Sequence, residues 1–255
     1  MSKIEVVKIG GNAINEDSYE EVIGALAHYS ENRSLVIVHG AGPTIQSKFI
    51  AAGFKNTFID GLRYTPKGSE SIIVEALLQQ NHALVMSLNK WFVRHGKPPR
   101  AVGVNAADSF CIKAEIIDQN RYGMVGTVTY IDNKLIRQLT TSQLLPVIAP
   151  YGIDSVSDIV NINADSCAGA MAKSLLASKF YLITNVVGVK DGNGNILDSL
   201  TVQDALSLIE SGVIHSGMVP KINCAIDALD SNSEEKRIVK ICDSITAKGT
   251  DIIAS

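Results

Sequence analysis

The sequence is poor in the features that announce several common functions. Its 255 residues hold only four cysteines, Cys111, Cys167, Cys224 and Cys242. None stands in a CxxC spacing, which removes a zinc ribbon and a redox pair and leaves four buried thiols. Charge of one sign is also missing. With a net charge of -3 and acids and bases mixed along the chain, no electrostatic case exists for a nucleic-acid or membrane partner. No run of about 18 uncharged apolar residues occurs, and MSKIEVVKIGG carries charges where a signal peptide needs an apolar stretch. A soluble, reducing, cytoplasmic setting is expected. Internal repeats, low-complexity linkers and a G-x-x-x-x-G-K-[ST] loop are absent, and His28, His82 and His95 show no ligand spacing.

What is present is a hydrophobic fraction of 46%, enough to build a sizeable core without disulfides or metals, as one large unit or two lobes. Apolar, β-branched runs at Ile4 to Ile9, Leu35 to Val38, Arg100 to Val104, Pro146 to Ala149, Phe180 to Thr184 and Arg237 to Ile241 read as strands. Helix-period segments separate them, at Tyr19 to Tyr29, Thr44 to Ala52, Lys67 to Val93, Lys134 to Thr140, Ser166 to Ala177, Val202 to Ser211 and Met218 to Leu229. This alternation predicts an α/β protein with a largely parallel, open sheet covered on both faces. Thr65-Pro66 suits a helix N-cap, Thr201 with Asp204 a capping box, and Gly53 and Gly212 helix C-termini. Tyr122-Gly123-Met124-Val125-Gly126 interrupts apolar alternation as in a hairpin projecting from the sheet, and Asp191-Gly192-Asn193-Gly194 predicts a second hairpin.

Five segments could carry chemistry. Lys8-Ile9-Gly10-Gly11 puts a lysine and two residues without Cβ at the end of a buried strand, a cradle for phosphate or simply a turn. Val38-His39-Gly40-Ala41-Gly42-Pro43 repeats the theme and runs into a helix N-terminus, where anions are favoured. It lacks the third glycine of G-x-G-x-x-G. Arg63, on the short Asp60-Gly61-Leu62-Arg63-Tyr64-Thr65 connection, suits a bidentate carboxylate clamp or an ordinary surface position. In Asn161-Ile162-Asn163-Ala164-Asp165 alternate polar residues share one face of a strand end, and Asp165 is either a cap or a functional acid. Lys221, in the first turn of a helix, opposes the helix dipole and so asks for a compensating anion.

In this order and spacing, together with Thr184-Asn185-Val186-Val187-Gly188-Val189, these segments resemble the acetylglutamate branch of the amino-acid kinase family over Lys3 to Ile253. The resemblance implies a three-layer α/β/α sandwich. Residues 1–176 would form an N-terminal lobe for the amino acid and residues 177–255 a C-terminal lobe for ATP, with the boundary near Ser174 to Ser178. It implies transfer of the γ-phosphoryl group of ATP, with Mg²⁺, to the side-chain carboxylate of N-acetyl-L-glutamate, a step of arginine biosynthesis. By the same resemblance Lys8 and Lys221 flank the migrating group, Asp165 orients them, and Gly10, Gly11 and Gly42 donate backbone N–H groups. Ala41, Gly42, Arg63, Asn161 and Asn163 would hold the substrate. Asn185, Val186, Val187, Gly188, Val189 and Lys190, with Val213, Ile214, His215, Gly217 and Met218, would hold the nucleotide. No residue is expected to ligate a metal directly.

The match is not complete. Relatives carry three glycines where this chain has Gly40-Ala41-Gly42, and a valine where it has Tyr64, so both departures touch the substrate side. The chain starts at its first strand, without the N-terminal helix that accompanies arginine-inhibited hexamers, and a homodimer without that feedback is expected. Within the family, carbamate, acetylaminoadipate, UMP and isopentenyl phosphate kinases are the alternatives. A catalytically silent regulatory relative and a nicotinamide-dependent oxidoreductase are the readings from other classes.

Overall fold

A computed structural model of the chain describes residues 3–10, 19–229 and 237–254. Strands and helices, numbered in chain order, begin with β1 (Ile4–Ile9), α1 (Tyr19–Ser30), β2 (Ser34–His39), α2 (Gly42–Ala51), β3 (Phe58–Ile59), β4 (Leu62–Arg63) and α3 (Glu70–Arg94). There follow β5 (Ala101–Val104), β6 (Ile112–Ile116), α4 (Gln119–Tyr122), β7 (Val125–Ile131), α5 (Asn133–Thr141), β8 (Leu145–Ile148), β9 (Tyr151–Ile153), β10 (Ile159–Ile162) and α6 (Ala164–Ser174). The last are β11 (Lys179–Ile183), β12 (Ser199–Thr201), α7 (Val202–Glu210), α8 (Val219–Leu229), β13 (Ile238–Cys242) and β14 (Thr250–Ile253).

Eight strands form one sheet in the order β12-β14-β13-β11-β1-β2-β8-β5. The pairs from β13 to β5 are parallel, while β14 runs antiparallel to β13. Because successive side chains of a strand point to opposite faces, each central strand feeds two cores. Val6, Val36, Val38, Phe180 and Leu182 pack with α2, α6 and α8 on one face. Val7, Ile9, Leu35, Ile37, Tyr181 and Ile183 pack with α1 and the second half of α3 on the other. The three-layer α/β/α arrangement follows. Residue parity also decides the chemistry: Lys8 shares the face of Ile4 and Val6, and so projects toward α6 and α8.

Several local expectations meet their structure. Thr201 and Asp204 form the reciprocal capping box, and Gly53 and Gly212, at φ 79° and 74°, follow the ends of α2 and α7. Asp60 and Gly61 take φ 51° and 80° and turn β3 back on β4. Asp191 starts the tight turn closed by the Lys190–Ile196 bridge.

Two expectations are corrected. Thr65 is no helix cap: α3 begins at Glu70 with Ser69 before it, and the Thr65 hydroxyl instead donates to Arg63 O at 3.1 Å. The predicted projecting hairpin, β6 and β7, closes with β9 and β10 into a small four-stranded barrel. Glycines permit the closure. A Cβ on Gly126 would lie 2.2 Å from Glu115 O, and one on Gly152 2.5 Å from Ala114 Cβ. The barrel grips the loop after β4 through Thr65, whose N–H donates to Tyr122 O at 3.1 Å and whose carbonyl accepts from Met124 N at 2.7 Å.

Under the loop after β2 lies a buried polar relay. Asn81 of α3 gives its two amide hydrogens to His39 Nε2 at 3.1 Å and Val147 O at 2.8 Å. With Nε2 accepting, Nδ1 is left to donate to Gly40 O at 3.4 Å. His39 is fully buried, and desolvation pulls its pKa from 6.5 down to about 4, against a smaller opposing effect of the Gly40 carbonyl.

Two predictions follow from these contacts. Gly123, at φ 71°, leaves no room for a side chain, since a Cβ would meet Thr65 O at 2.0 Å. Gly123→Ala is expected to cost at least about 1–3 kcal/mol in urea unfolding, whereas Gly192→Ala, meeting only Val213 at 3.9 Å, should stay within about 0.5 kcal/mol. For His39 the folded pKa lies below the unfolded one, so the unfolded state binds the extra proton. Its contribution is intact above about 6.5 and drains away as pH falls toward 4, at a slope approaching about 1.4 kcal/mol per pH unit. His39→Gln should flatten that part of the stability–pH curve; an unchanged slope would refute the assignment.

Candidate active site

The carboxyl ends of β1, β2 and β11 open into a cleft of about 500 Å³ lined by Lys8, Gly10, Gly42, Pro43, Thr184, Asn185, Val186, Gly217, Met218 and Lys221. Ligands of open parallel sheets bind at this edge, because the helices that follow the strands present their N-termini there. Lys8 and Lys221, 213 positions apart in the chain, meet behind the cleft at one carboxylate. Lys8 Nζ is 2.8 Å from Asp165 Oδ1 and Lys221 Nζ 3.1 Å from Oδ2. The carboxylate thus meets one ammonium with each oxygen, Lys221 donating a hydrogen bond to Oδ2.

Local sequence explains the arrangement. Asn163 is the N-cap of α6, its Oδ1 accepting from Asp165 N at 2.8 Å and Ser166 N at 3.3 Å. Asp165 is thereby released from capping and stands in the first turn, where the helix dipole favours an anion. Lys221 occupies the first turn of α8, against the dipole, and Asp165 is the carboxylate that compensates it. Burial pushes the Asp165 carboxyl up, but the charges of Lys8 and Lys221 and their contacts outweigh it and hold its pKa below the usual range. The trio carries two positive charges and one negative, so its surplus of one positive charge faces the cleft.

The amide expected from Gly10 is already used, donating to Ile183 O at 3.2 Å as the ladder of β1 and β11 continues. What Gly10 offers is missing bulk, since a Cβ there would sit 3.4 Å from Lys8 Nζ. Gly11 lies outside the described residues. Nor do Asn161 and Asn163 share a face, because β10 ends at Ile162 and the chain turns into the α6 cap.

Arg63 borders the cleft through Gly42, whose carbonyl accepts from Arg63 Nη2 at 3.1 Å. The guanidinium lies over the Phe58 ring at 4.7 Å and is buried, which lowers its pKa. Its Nη1 is buried without an acceptor among the described residues. Such an orphan is costly, and a ligand carboxylate would satisfy it. Asn161 supports this side by donating to Thr65 Oγ1 at 2.9 Å. Ala41 is brought only to the wall: its methyl is packed in the core with Ile45 and Phe49.

On the other side, sharing Asn185, Val186 and Met218 with the cleft, lies a mainly apolar cavity of about 390 Å³. Its lining brings Asn185, Val186, Val187, Gly188, Val189 and Lys190 together with Val213, Ile214, His215 and Met218, and adds Ile196; Gly217 lies in the adjoining cleft. Thr250, which carried no recognisable signal in the sequence, clamps this loop. Its hydroxyl accepts from Val189 N at 2.8 Å and donates to Leu197 O at 2.6 Å, and a Cβ on Gly188 would collide with it at 2.6 Å. Thr184 was also missed as a cleft residue, although it stands inside one of the motifs. The four cysteines are buried; Cys224 Sγ donates to Asp165 O at 3.0 Å.

Comparison with known proteins agrees with this geometry. The model of the amino acid kinase family matches residues 3–240. An acetylglutamate kinase of Caulobacter vibrioides is 34% identical over 247 residues, covering 90% of this chain and 80% of its own. One from Acinetobacter baumannii is 37% identical over 254 residues, covering 93% and 81%. The crystal structure of smu.665 from Streptococcus mutans UA159 superposes with a TM-score of 0.85 at 31% identity, over the whole of both chains. With two lysines sharing a carboxylate behind a cleft that joins an apolar cavity to an unsatisfied arginine, and with these relatives, the chain belongs to the amino acid kinase family.

Proposed function

We propose that the chain transfers the γ-phosphoryl group of ATP to the side-chain carboxylate of N-acetyl-L-glutamate, yielding the acyl phosphate and ADP as a step of arginine biosynthesis. The observation that carries this reading is the convergence of Lys8 and Lys221 on Asp165, between the Arg63 side and the apolar cavity. Residues up to 176 would then serve the amino acid and residues from 177 the nucleotide, on one continuous sheet in which β1 pairs with β11.

The chemistry asks little of the protein beyond placement and charge. A carboxylate oxygen attacks the γ-phosphorus while the bond to the β-phosphate oxygen breaks, and negative charge spreads over the equatorial oxygens. The nucleophile is already ionised at neutral pH, so no general base is needed. The surplus positive charge of the trio answers the developing charge. Mg²⁺ would arrive on the nucleotide's phosphates, since it keeps several waters and needs few protein ligands, and the carboxylate nearest the reaction, Asp165, is engaged by the lysines. Adenine suits the apolar cavity.

Arg63 favours the acetylglutamate reading within the family. Carbamate has no carboxylate beyond the one that reacts, and UMP and isopentenyl phosphate accept the phosphoryl group on a phosphate. An N-acylated amino acid has a second carboxylate, the α-carboxylate, to meet the orphaned Nη1. The reading includes a homodimer in the cytoplasm. Apolar Leu78, Met86 and Val93 are exposed on α3 beside the edge strand β5, and among the described residues no helix is long and apolar enough to cross a membrane.

Lys8→Ala and Lys221→Ala are each expected to lower kcat by about a hundredfold or more, the scale of losing one preorganised donor; undiminished turnover in both would end the assignment. Arg63→Ala should raise KM for the amino acid, by roughly tenfold or more, while leaving that for ATP nearly unchanged. ADP release with Mg·ATP and a panel of N-acetylglutamate, acetylaminoadipate, glutamate, carbamate and UMP should be fastest with N-acetylglutamate, whose acyl phosphate hydroxylamine traps as the hydroxamate. A faster reaction with another acceptor would reassign the substrate.

A further inference from the structure

At the amino ends of the strands, away from the cleft, a second polar cavity of about 490 Å³ opens beneath Ile4. Ile4 and Lys8 lie four residues apart on β1, so the two sites are separated by roughly 13 Å of strand. Three guanidinium groups reach this cavity from different elements: Arg33 from the α1–β2 connection, Arg100 from just ahead of β5, and Arg137 from α5.

Each arginine makes one bond to a helix-end carbonyl. Arg33 Nη1 donates to Tyr29 O at 3.2 Å, Arg100 Nη1 to Glu31 O at 3.4 Å, and Arg137 Nη2 to Leu175 O at 2.5 Å. Tying down the ends of α1 and α6 accounts for those bonds, but a guanidinium has five N–H donors, so most have no acceptor among the described residues. Arg100 Nε is buried with no acceptor among the described residues, and desolvation lowers the pKa of this arginine despite the charge of Glu31.

The charge balance is equally incomplete. Glu31, the acid among the lining residues, is already ion-paired with Lys97 and hydrogen-bonded to His28. Arg33 has Glu5 at 3.8 Å. For Arg100 and Arg137 no carboxylate of the described residues lies within ion-pair distance. Capping carbonyls does not require three like charges to converge on one space, and like charges brought together favour an anion between them.

We propose that this cavity is a binding site for a small organic polyanion, with two or more phosphate or carboxylate groups held by Arg33, Arg100 and Arg137. Guanidinium groups recognise both anions by paired hydrogen bonds. The volume falls within the range of small-molecule sites and exceeds what one inorganic ion fills.

Calorimetric titration of the full chain with citrate and with pyrophosphate, each against sodium chloride at matched ionic strength, tests the site. Tight binding of at least one probe is expected, which also tells carboxylate from phosphate recognition. Thr141→Glu, which places an acid at the exposed rim while leaving the carbonyl bonds intact, should weaken it at least tenfold, as should Arg100→Gln. Lys221→Ala, which disables the cleft, should leave it unchanged. Thermal melting without probe checks that each variant is folded. Absence of binding beyond the chloride control overturns the proposal. So does binding that is lost in Lys221→Ala and kept in Thr141→Glu, since the probe would then occupy the cleft. Neither result bears on the phosphoryl-transfer reading.

Discussion

Two ammonium groups can be brought together in a protein interior only around an anion, and everything else in this structure is arranged about the anion that joins Lys8 to Lys221. Asp165 meets one lysine with each of its oxygens, so a single carboxylate fixes the relative position of a strand end and a helix start. The pair is not neutralised. Among the described residues one positive charge remains uncompensated and open to a ligand, which converts a structural ion pair into a preorganised electrostatic site. Removing the carboxylate would leave two buried like charges, whereas removing either lysine would leave a balanced pair with nothing to offer a phosphoryl group.

The walls on either side of that trio rely on close backbone approach. Gly123 against Thr65, Gly126 against Glu115 and Gly188 against Thr250 are positions where a Cβ would fall within 2.6 Å of another residue. The first ties the barrel to the Arg63 loop, the second lets the barrel close on itself, and the third pins the loop lining the apolar cavity. The two hydroxyls repeat one solution: Thr65 and Thr250 each accept a hydrogen bond from one segment and donate to another. Both pockets thus flank the lysines on walls stapled to the rigid sheet.

How far this was legible depends on the range of the interaction. Strands and helices with clear periodicity were readable, as were the Thr201–Asp204 box and the Asp60-Gly61 turn, because neighbours in the chain set them. Lys221 was readable as a charge against its helix dipole, though only the fold could say that Asp165 answers it. The family resemblance supplied the pairing of the lysines that local pattern could not. Closure of the barrel, the use of Gly10's amide by Ile183 and the real partners of Thr65 stayed hidden, since each depends on which distant backbone passes nearby. Asn163 misled for a related reason: alternation along β10 was extended by one residue into what is the α6 cap.

The Ala41 departure can now be weighed. Ala41 is 3% exposed and its methyl belongs to the core beneath α2, so it adds packing rather than bulk to the cleft. As the N-cap of α2 it provides no side-chain acceptor, and Pro43 in the first turn has no N–H. A serine or aspartate here would occupy the orphan amides at the helix start. With alanine, the amides of Gly42 and Thr44 meet no competing side chain, at the mouth of a cleft whose lysines already carry surplus charge. The alanine therefore keeps the anion-facing end of α2 uncapped, and under the proposed function discrimination among acceptors would fall to Arg63 and the loop that carries it.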